Sequence, residues 1–516
     1  MNIVLQNLTR FGDLLQSQPA VSELAAAGHV VSLACLENFA GAAGLLADVS
    51  DIFPLPGAKF LAGLDADWKL ALATMADFAD TVAARARPDC VVNLTAALSA
   101  RLLARRLCGE AVRGFSLDPF GYRHESNPWA SFLEASSTRR ELCPFNIVDV
   151  FRKTAGVGQG AGRFALRRPD AAAAEEAAAL FAGTGPLDDL LVVGFQLGAS
   201  AAARQWPVER FARLAARLHE KRGILAVVVG AASEKPLAAR FRELFDGPCL
   251  DLAGATSLPI LAAVVARLRL LVTNDTGTLH LAAGLGVPSV ALFLATAQPF
   301  DTGPYLEGCL CLEPDMPCHP CSFRETCGRD HACQDAIDPE SVAEAVLAWS
   351  RHGRFPVGLY PGARAWLSAR DDAGFMDLVS LSGHETTPRA VWLRSQRHVL
   401  RQFLDDEPHA PPTTPLPPLP ESERQELLRL LSQSADLLRL VQGQAGLAAR
   451  NQAMKNRFLA SHNRVTALWS ASPHLATLAQ LWQRQAQEEA VDIDGFVARI
   501  RRYEACVTAF AAILQA

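Results

Sequence analysis

Residues 270–293 read LLVTNDTGTLHLAAGLGVPSVALF, and this stretch decides the class of fold. The apolar run Leu270 to Asn274 predicts a buried strand. It leads directly into Asp275-Thr276-Gly277, the start of an Ala-rich helix that carries His280. After Gly286-Val287-Pro288 the chain enters a second apolar strand, Ser289 to Phe293. Asp275 or Thr276 can cap the helix, and Gly277 permits close approach of the backbone to a ligand. Free N–H groups at a helix N-terminus attract anions, and His280, one turn in, points its ring back towards them. The pattern has the character of a diphosphate cradle on an open α/β sheet.

Composition sets the limits around that cradle. A chain of 516 residues is too long for one core and suits two or three domains. The net charge of −5 gives no sign of nucleic-acid binding. No apolar run reaches bilayer length. The opening MNIVLQNL lacks a basic region and a small-residue cleavage site, so it reads as a first strand and not a signal peptide. The expectation is a cytoplasmic protein without a transmembrane segment. Six of the twelve cysteines fall between Cys309 and Cys333, which argues for a local site against a chain-wide disulfide framework.

Working outward, residues 1–165 alternate strands (Ile3–Leu8, Val30–Leu36, Cys90–Leu94, Val112–Leu117) with helices such as Pro19–Gly28 and Ala96–Leu107. A Gly- and Ala-rich passage, roughly 156–186, precedes a second run of the same kind over 186–352. Its strands are Leu190–Leu197, Ile224–Gly230, Leu270–Asn274 and Ser289–Phe293, and a helix from near Pro339 closes it. Continuous apolar strands with helical crossovers predict parallel sheets covered on both faces. The fold class is therefore α/β, two doubly wound Rossmann-like domains facing a cleft, with ligands at the carboxyl ends of the strands. Residues 355–407 read as a hairpin and helix, with Asp371-Asp372-Ala373-Gly374 as the turn. Residues 408–420 are a proline-rich linker. Residues 421–516 form a helical extension, in which Leu427, Leu430, Leu431, Leu438 and Val441 recur at helical spacing, as do Phe458, Val465, Leu468 and Trp469. Such stripes need only packing and suit a bundle or an oligomerisation module.

Three distant segments could meet in the cleft. In the first, Arg10-Phe11-Gly12-Asp13 follows strand one and sets a carboxylate at the sheet's carboxyl edge. There it could take a proton from a hydroxyl, or simply cap a helix. In the second, Gln196 to Ser200 is followed by Arg204-Gln205-Trp206-Pro207. Arg204 can fork two hydrogen bonds onto phosphate oxygens, while Trp206 and Pro207 pack the loop. The third is the Asp275-Thr276-Gly277…His280 motif. An Asp-Thr-Gly triplet also marks retroviral-type aspartic proteases, but the Ala-rich helix within an α/β pattern disfavours that reading. Glu234, after another strand, could accept from a ribose or cap its own helix.

Together these motifs resemble glycosyltransferase family 9, the heptosyltransferases of lipopolysaccharide core assembly. The resemblance covers about residues 1–350 and rests on Arg10-Phe11-Gly12-Asp13, on Gly198-Ala199-Ser200…Arg204-Gln205-Trp206-Pro207, and on Asp275-Thr276-Gly277…His280 with Gly286-Val287-Pro288. The family's Leu-Phe-Gly-x-Thr segment has a partial counterpart in Leu292-Phe293-Leu294-Ala295-Thr296, where Leu294 replaces the glycine. Arg204 stands where many relatives have lysine.

The resemblance implies a GT-B fold, with an N-terminal acceptor domain and a C-terminal donor domain for ADP-heptose. Asp13 would be the catalytic base of an inverting transfer that needs no metal cofactor. Ser200, Arg204, Glu234, Asp275, Thr276, Gly277, His280 and Thr296 would bind the donor; Arg10, Asn93 and Trp129 are the acceptor-side candidates. The acceptor would be a glycolipid core sugar, or a protein Ser/Thr in the alternative. An enzyme of core assembly would work at the inner face of the inner membrane. A non-catalytic sugar-nucleotide sensor, with the helical tail as its output or homo-oligomer module, is the reading from another class; a base in the cleft speaks for the enzyme.

Cys318-His319-Pro320-Cys321 with Cys327 and Cys333 has the count and compactness of a structural metal knuckle, with His319 and His331 as substitute ligands. Reduced thiols or a local disulfide is the other reading. The autotransporter heptosyltransferases use a similar cluster to hold iron, so structural iron or zinc is expected here, away from the chemistry. Cys309 and Cys311 alternate on a strand as packing residues.

Overall fold

The strands of the first sheet exist because Ile3, Val4 and Leu5, and likewise Val91 and Val92, are apolar in unbroken runs that only two-sided burial accommodates. A computed structural model describes residues 1–137, 140–160, 162–184, 190–323, 326–358, 360–448, 451–488 and 493–516. The chain separates into two units: Met1–Ser116 with Phe145–Gly383, and Leu117–Pro144 with His384–Ala516.

In the first unit, β1 (Asn2–Gln6), β2 (Val30–Leu36), β3 (Val49–Leu55), β4 (Cys90–Asn93) and β5 (Val112–Leu117) pair in parallel in the order β3-β2-β1-β4-β5. β6 (Arg123–Glu125) is a short strand of the second unit's sequence. The second sheet contains β7 (Leu191–Gln196), β8 (Ile224–Val229), β9 (Cys249–Asp251), β10 (Leu270–Asn274), β11 (Ser289–Leu292), β12 (Leu310–Pro314), β13 (Ala363–Arg370) and β14 (Met376–Ser380). Its order is β14-β13-β12-β11-β10-β7-β8-β9, parallel from β12 to β9 and antiparallel across β12-β13-β14.

The architecture is mixed α/β with two parallel-dominated sheets. Parallel strands place all their carboxyl ends on one edge. Asp13 follows β1, Ser200 and Arg204 follow β7, Glu234 follows β8, Asp275 follows β10 and Thr296 follows β11. The candidate site residues are therefore edge residues by construction.

The hairpin expected near residue 371 forms, but it is no appendage. β13 pairs with β12 and extends the second sheet, while the helix Pro388–Leu404 belongs to the second unit. β3 and β9 escape the sequence reading, and a helix, Ala171–Phe181, occupies the Gly- and Ala-rich passage.

The hairpin also closes a buried ionic cluster. Asp149 Oδ1 accepts from Arg152 Nη1 at 2.9 Å and from Tyr305 OH at 2.6 Å, and Asp149 Oδ2 accepts from the Met376 N–H at 2.9 Å. Arg152 also pairs with Glu23, and Arg370 from β13 donates to Gly162 O at 2.6 Å. Burial and the adjacent carboxylate push the Tyr305 phenol well up, so it stays a donor. The cluster joins the helix Gln18–Ala26 of the first half, the segment after β5, and β13-β14 of the second half.

In the second unit the helices Glu421–Ala448, Gln452–Ala471 and Ile493–Gln515 bury the predicted stripes at Leu427, Leu431, Leu438, Val441, Val465 and Trp469. Leu430 and Leu468 are half-buried at the margins. The proline-rich segment 408–420 has neither helix nor strand. Among the described residues no helix is long and apolar enough to cross a membrane.

Asp149→Ala removes three hydrogen bonds from the cluster and leaves Arg152 buried with one carboxylate fewer. The expected loss is about 3 kcal/mol in urea unfolding followed in the first unit; a loss below about 0.5 kcal/mol would show that the cluster does not hold the unit together.

Candidate active site

The second and third motifs meet at β10. Asn274, its last residue, is fully buried, a position an amide tolerates only with all its groups paired. Its Oδ1 accepts the Trp206 N–H at 2.9 Å, and its Nδ2 donates to Leu197 O at 2.9 Å and Gly198 O at 3.1 Å. One side chain thus sutures the loop after β7 to the start of the Asp-Thr-Gly helix. Trp206 packs as expected, edge-on against Phe211 with centroids 4.9 Å apart.

Arg204 lies across this suture. Its Nη1 donates to Ser200 Oγ at 3.1 Å, and its Nη2 pairs with Asp275 Oδ2. Both side chains are largely buried, 13% and 7% exposed, so the pair is screened little. Thr302 Oγ1 adds a hydrogen bond to the same Asp275 oxygen at 3.4 Å. Asp275 is therefore the counter-ion that aims Arg204 and not the helix cap. Thr276 occupies the N-cap position of Gly277–Gly284, with no side-chain cap bond; its hydroxyl meets Thr273 Oγ1 at 3.2 Å.

The first motif arrives from the other sheet. A Cβ on Gly12 would fall 3.0 Å from His280 Cδ2 and 3.3 Å from Gly277 Cα. A Cβ on Gly277 would fall 2.3 Å from Phe11 Cδ1. Two glycines let the N-terminal turns of Phe11–Gln16 and Gly277–Gly284 touch, and Phe11, not a ligand, fills the space that Gly277 leaves. His280 is buried with its ring against Gly12. Asp13 lies half-buried in the first turn of its helix, whose N-cap is the exposed Arg10. Asp13, Ser200, Arg204, Asp275, Thr276, Gly277 and His280 consequently share one region.

Glu234 sits beside it. Its carboxylate accepts Gln196 Nε2 at 2.9 and 3.1 Å and the Ala231 N–H at 2.7 Å. A Cβ on Gly198 or Gly230 would collide with it at 1.6 or 2.2 Å, so both glycines make its berth. Gln196 Oε1 in turn accepts Thr278 Oγ1 at 3.0 Å, which links Glu234 to the cradle helix. Glu234 thus closes its own loop, as the capping alternative expected. Thr296 is half-buried in the turn after β11. The neighbouring Ala295 has φ 52°, where an L side chain costs on the order of 1–2 kcal/mol.

Two acceptor candidates are placed otherwise. Asn93 is fully buried within the first sheet, accepting from Gln6 and Thr95 and donating to Phe115 O at 2.8 Å. It locks strand ends together and has no face to offer. Trp129 is buried in the second unit, its Nε1 donating to Asp405 Oδ1 at 2.8 Å. Asn274, Gln196, Thr278 and Thr302 were missed; a polar residue ending an apolar strand, as Asn274 does, was the one signal available.

The cysteines of the expected knuckle differ in exposure. Cys318 and Cys327 are exposed, Cys321 is half-buried and Cys333 is buried. Among the described residues no three His, Cys, Asp or Glu side chains gather as metal ligands. His319 is held in a separate buried cluster, its Nδ1 3.4 Å from Glu313 Oε2 and 3.1 Å from Arg364 Nη2. His331 is exposed. Burial pushes the Cys309 and Cys311 thiols up, which keeps them protonated as packing groups.

The architecture is two-sheet α/β, with the buried Arg204–Asp275 pair at a helix N-terminus and the turn that carries Asp13 beside it. Residues 86–331 match the family model of glycosyltransferase family 9 (heptosyltransferase). Lipopolysaccharide heptosyltransferase 1 of Pseudomonas aeruginosa is 35% identical over 137 residues, 26% of this chain and 36% of its own. Lipooligosaccharide heptosyltransferase 2 of Campylobacter jejuni is 30% identical over 159 residues, 30% of this chain and 49% of its own. The chain spans about a third to a half of the length of the curated relatives it matches. The crystal structure of a family 9 glycosyl transferase from Veillonella parvula superposes with a TM-score of 0.56 at 20% identity, over 67% of this chain and 96% of that one. At that identity it shows a shared fold. Over residues 86–331 the chain is similar to glycosyltransferase family 9, the heptosyltransferases.

Asn274→Ala strands the Trp206 N–H and two carbonyls without partners. The expected loss is about 3 kcal/mol of stability, read by thermal unfolding. A shift within error of wild type would refute the suture.

Proposed function

We propose that this protein transfers a heptose from ADP-heptose to a hydroxyl of a lipopolysaccharide core acceptor, with inversion, across a GT-B cleft. The observation that carries the proposal is the contact of Gly12 with Gly277 and His280, which sets Asp13 beside the Asp-Thr-Gly helix. The three family motifs meet there, and the named relatives are lipopolysaccharide and lipooligosaccharide heptosyltransferases.

In this reading Asp13 accepts the acceptor's hydroxyl proton as that oxygen attacks the anomeric carbon. The bond from the anomeric carbon to the β-phosphate oxygen breaks, its electron pair stays on the diphosphate, and ADP departs from the opposite face. Arg204, the Ser200 hydroxyl and the N–H groups at Thr276 and Gly277 meet the charge that develops. Asp275 and Thr302 hold Arg204 in aim, and His280 spaces the two helices. The charge work is done by side chains and backbone, so the transfer needs no bound cation. Arg10, exposed before Asp13, is the remaining acceptor-side contact. The site of action is the cytoplasmic face of the inner membrane, where lipid-linked acceptors are met.

The experiment is transfer from ADP-heptose to heptose-deficient core glycolipid by wild type, Asp13→Ala and Arg204→Ala. Asp13→Ala should lose about 10²–10⁴ in kcat with ADP affinity retained. Arg204→Ala should weaken ADP binding and lower kcat by about 10²–10³. Transfer that survives Asp13→Ala unchanged would remove the base, and wild type that binds ADP without transfer would leave a sensor.

A further inference from the structure

After β3 the chain forms a helix pair whose polarity is inverted. The helices Gly57–Ala66 and Trp68–Ala86 follow that strand and pack on each other. Helices of a globular protein ordinarily turn their large apolar side chains inward. Here small residues make the contact between them: a Cβ on Gly63 would fall 2.8 Å from Ala71 N. Leu61, Leu64, Trp68, Leu70 and Leu72 are left outside, between 49% and 62% exposed. A contiguous group of exposed apolar side chains marks an interaction surface.

The charges around the patch indicate what covers it. Lys59, Asp65 and Lys69 are exposed beside it, and Asp67 caps the second helix, its Oδ1 accepting from the Lys69 N–H at 3.0 Å. Over residues 57–72 two lysines stand against two aspartates, so the charges cancel. At the foot of the pair, against β3, an open cleft of about 240 Å³ has Lys59, Thr74 and Asp77 on its walls. An ammonium and a carboxylate in one cleft complement the phosphate and the ammonium of a zwitterionic phospholipid headgroup. The indole of Trp68 suits the same place, since such rings settle at headgroup level. A strongly anionic membrane would call for an excess of Lys and Arg, which this patch lacks.

Topology aims the patch. β3 runs parallel to β2 and β2 to β1, so the helix pair leaves the same edge of the sheet as the turn bearing Asp13. The two strands are two spacings apart, roughly 10 Å. We propose that the face formed by Leu61, Leu64, Trp68, Leu70 and Leu72 docks on a zwitterionic phospholipid bilayer. The inference rests on the reading of a lipid-linked acceptor above, and it names the surface by which that acceptor is met. Docked there, the protein turns its Asp13 edge to the lipids.

Cosedimentation of the full chain with vesicles of phosphatidylcholine and phosphatidylethanolamine, free of anionic lipid, tests the docking face. Wild type should bind, with affinity changing less than about twofold between low and high salt, because apolar burial is not screened as charge is. Leu64→Gln/Trp68→Gln should bind at least about tenfold more weakly, with thermal unfolding unchanged because both side chains are exposed. Val30→Gln, 53% exposed at the amino edge of the same sheet, should bind as wild type does. Wild type that stays in the supernatant, equal binding by the double variant, or binding lost at high salt would overturn the proposal. So would self-association that the double variant abolishes in the absence of any vesicle binding, which would give the face to a second copy. A transfer assay separates docking from chemistry. The double variant should lose about tenfold in transfer to core glycolipid held in these vesicles and keep wild-type transfer to the deacylated, soluble core; equal loss on both would contradict docking. If wild type transfers to neither, the transferase reading falls, and vesicle binding alone decides the docking face.

Discussion

The candidate site depends on the close approach of two helix N-termini. Gly12 rests on Gly277 and His280, and Gly277 on Phe11, because none of these contacts leaves room for a side chain on either glycine. The contact spans two sheets that share no strand. It brings the helical turn that carries Asp13, at the first sheet's edge, beside the N-terminus of a helix on the second. A helix end draws negative charge, and Arg204 and Asp275, paired close by, add no net charge of their own.

Around that contact the structure uses buried polar groups as fasteners. Asn274 ties the loop after β7 to the end of β10, Gln196 and Thr278 tie Glu234 to the helix Gly277–Gly284, and Asp149 with Arg152 and Tyr305 ties the halves of the first unit. A buried polar group earns its place only when fully paired, so each fastener tolerates one geometry. That restriction suits a candidate site assembled from loops far apart in the chain.

Much of this was legible in the sequence. β10 and β11 announce themselves because both faces of a central parallel strand are buried, and the runs Leu270–Val272 and Val290–Leu292 are apolar throughout. β3 hides because Ser50, Asp51 and Pro54 interrupt its pattern, as an edge strand permits. β9, three half-buried residues at the other edge, hides for the same reason. Asp13, Arg204 and Asp275 could be read because each follows a strand, and strand ends share an edge. Their mutual geometry could not: Asp275 looked like a cap until Arg204, 71 residues away, claimed it. Asn93 and Trp129 misled because their partners, Gln6 and Asp405, lie 87 and 276 residues distant, and no local signal separates a buried fastener from a binding group. The hairpin was visible by its turn, but its pairing with β12 is a property of the whole sheet.

The central claim is that one cleft holds a diphosphate on the Asp-Thr-Gly helix with Asp13 across from it. A crystal structure grown with ADP-heptose tests it directly. The diphosphate oxygens are expected within hydrogen-bond distance of Arg204 and the Gly277 N–H, with the Asp13 carboxylate on the face of the anomeric carbon opposite the leaving oxygen. A diphosphate bound away from Arg204 and Gly277, or Asp13 on the same face as the leaving group, would contradict it.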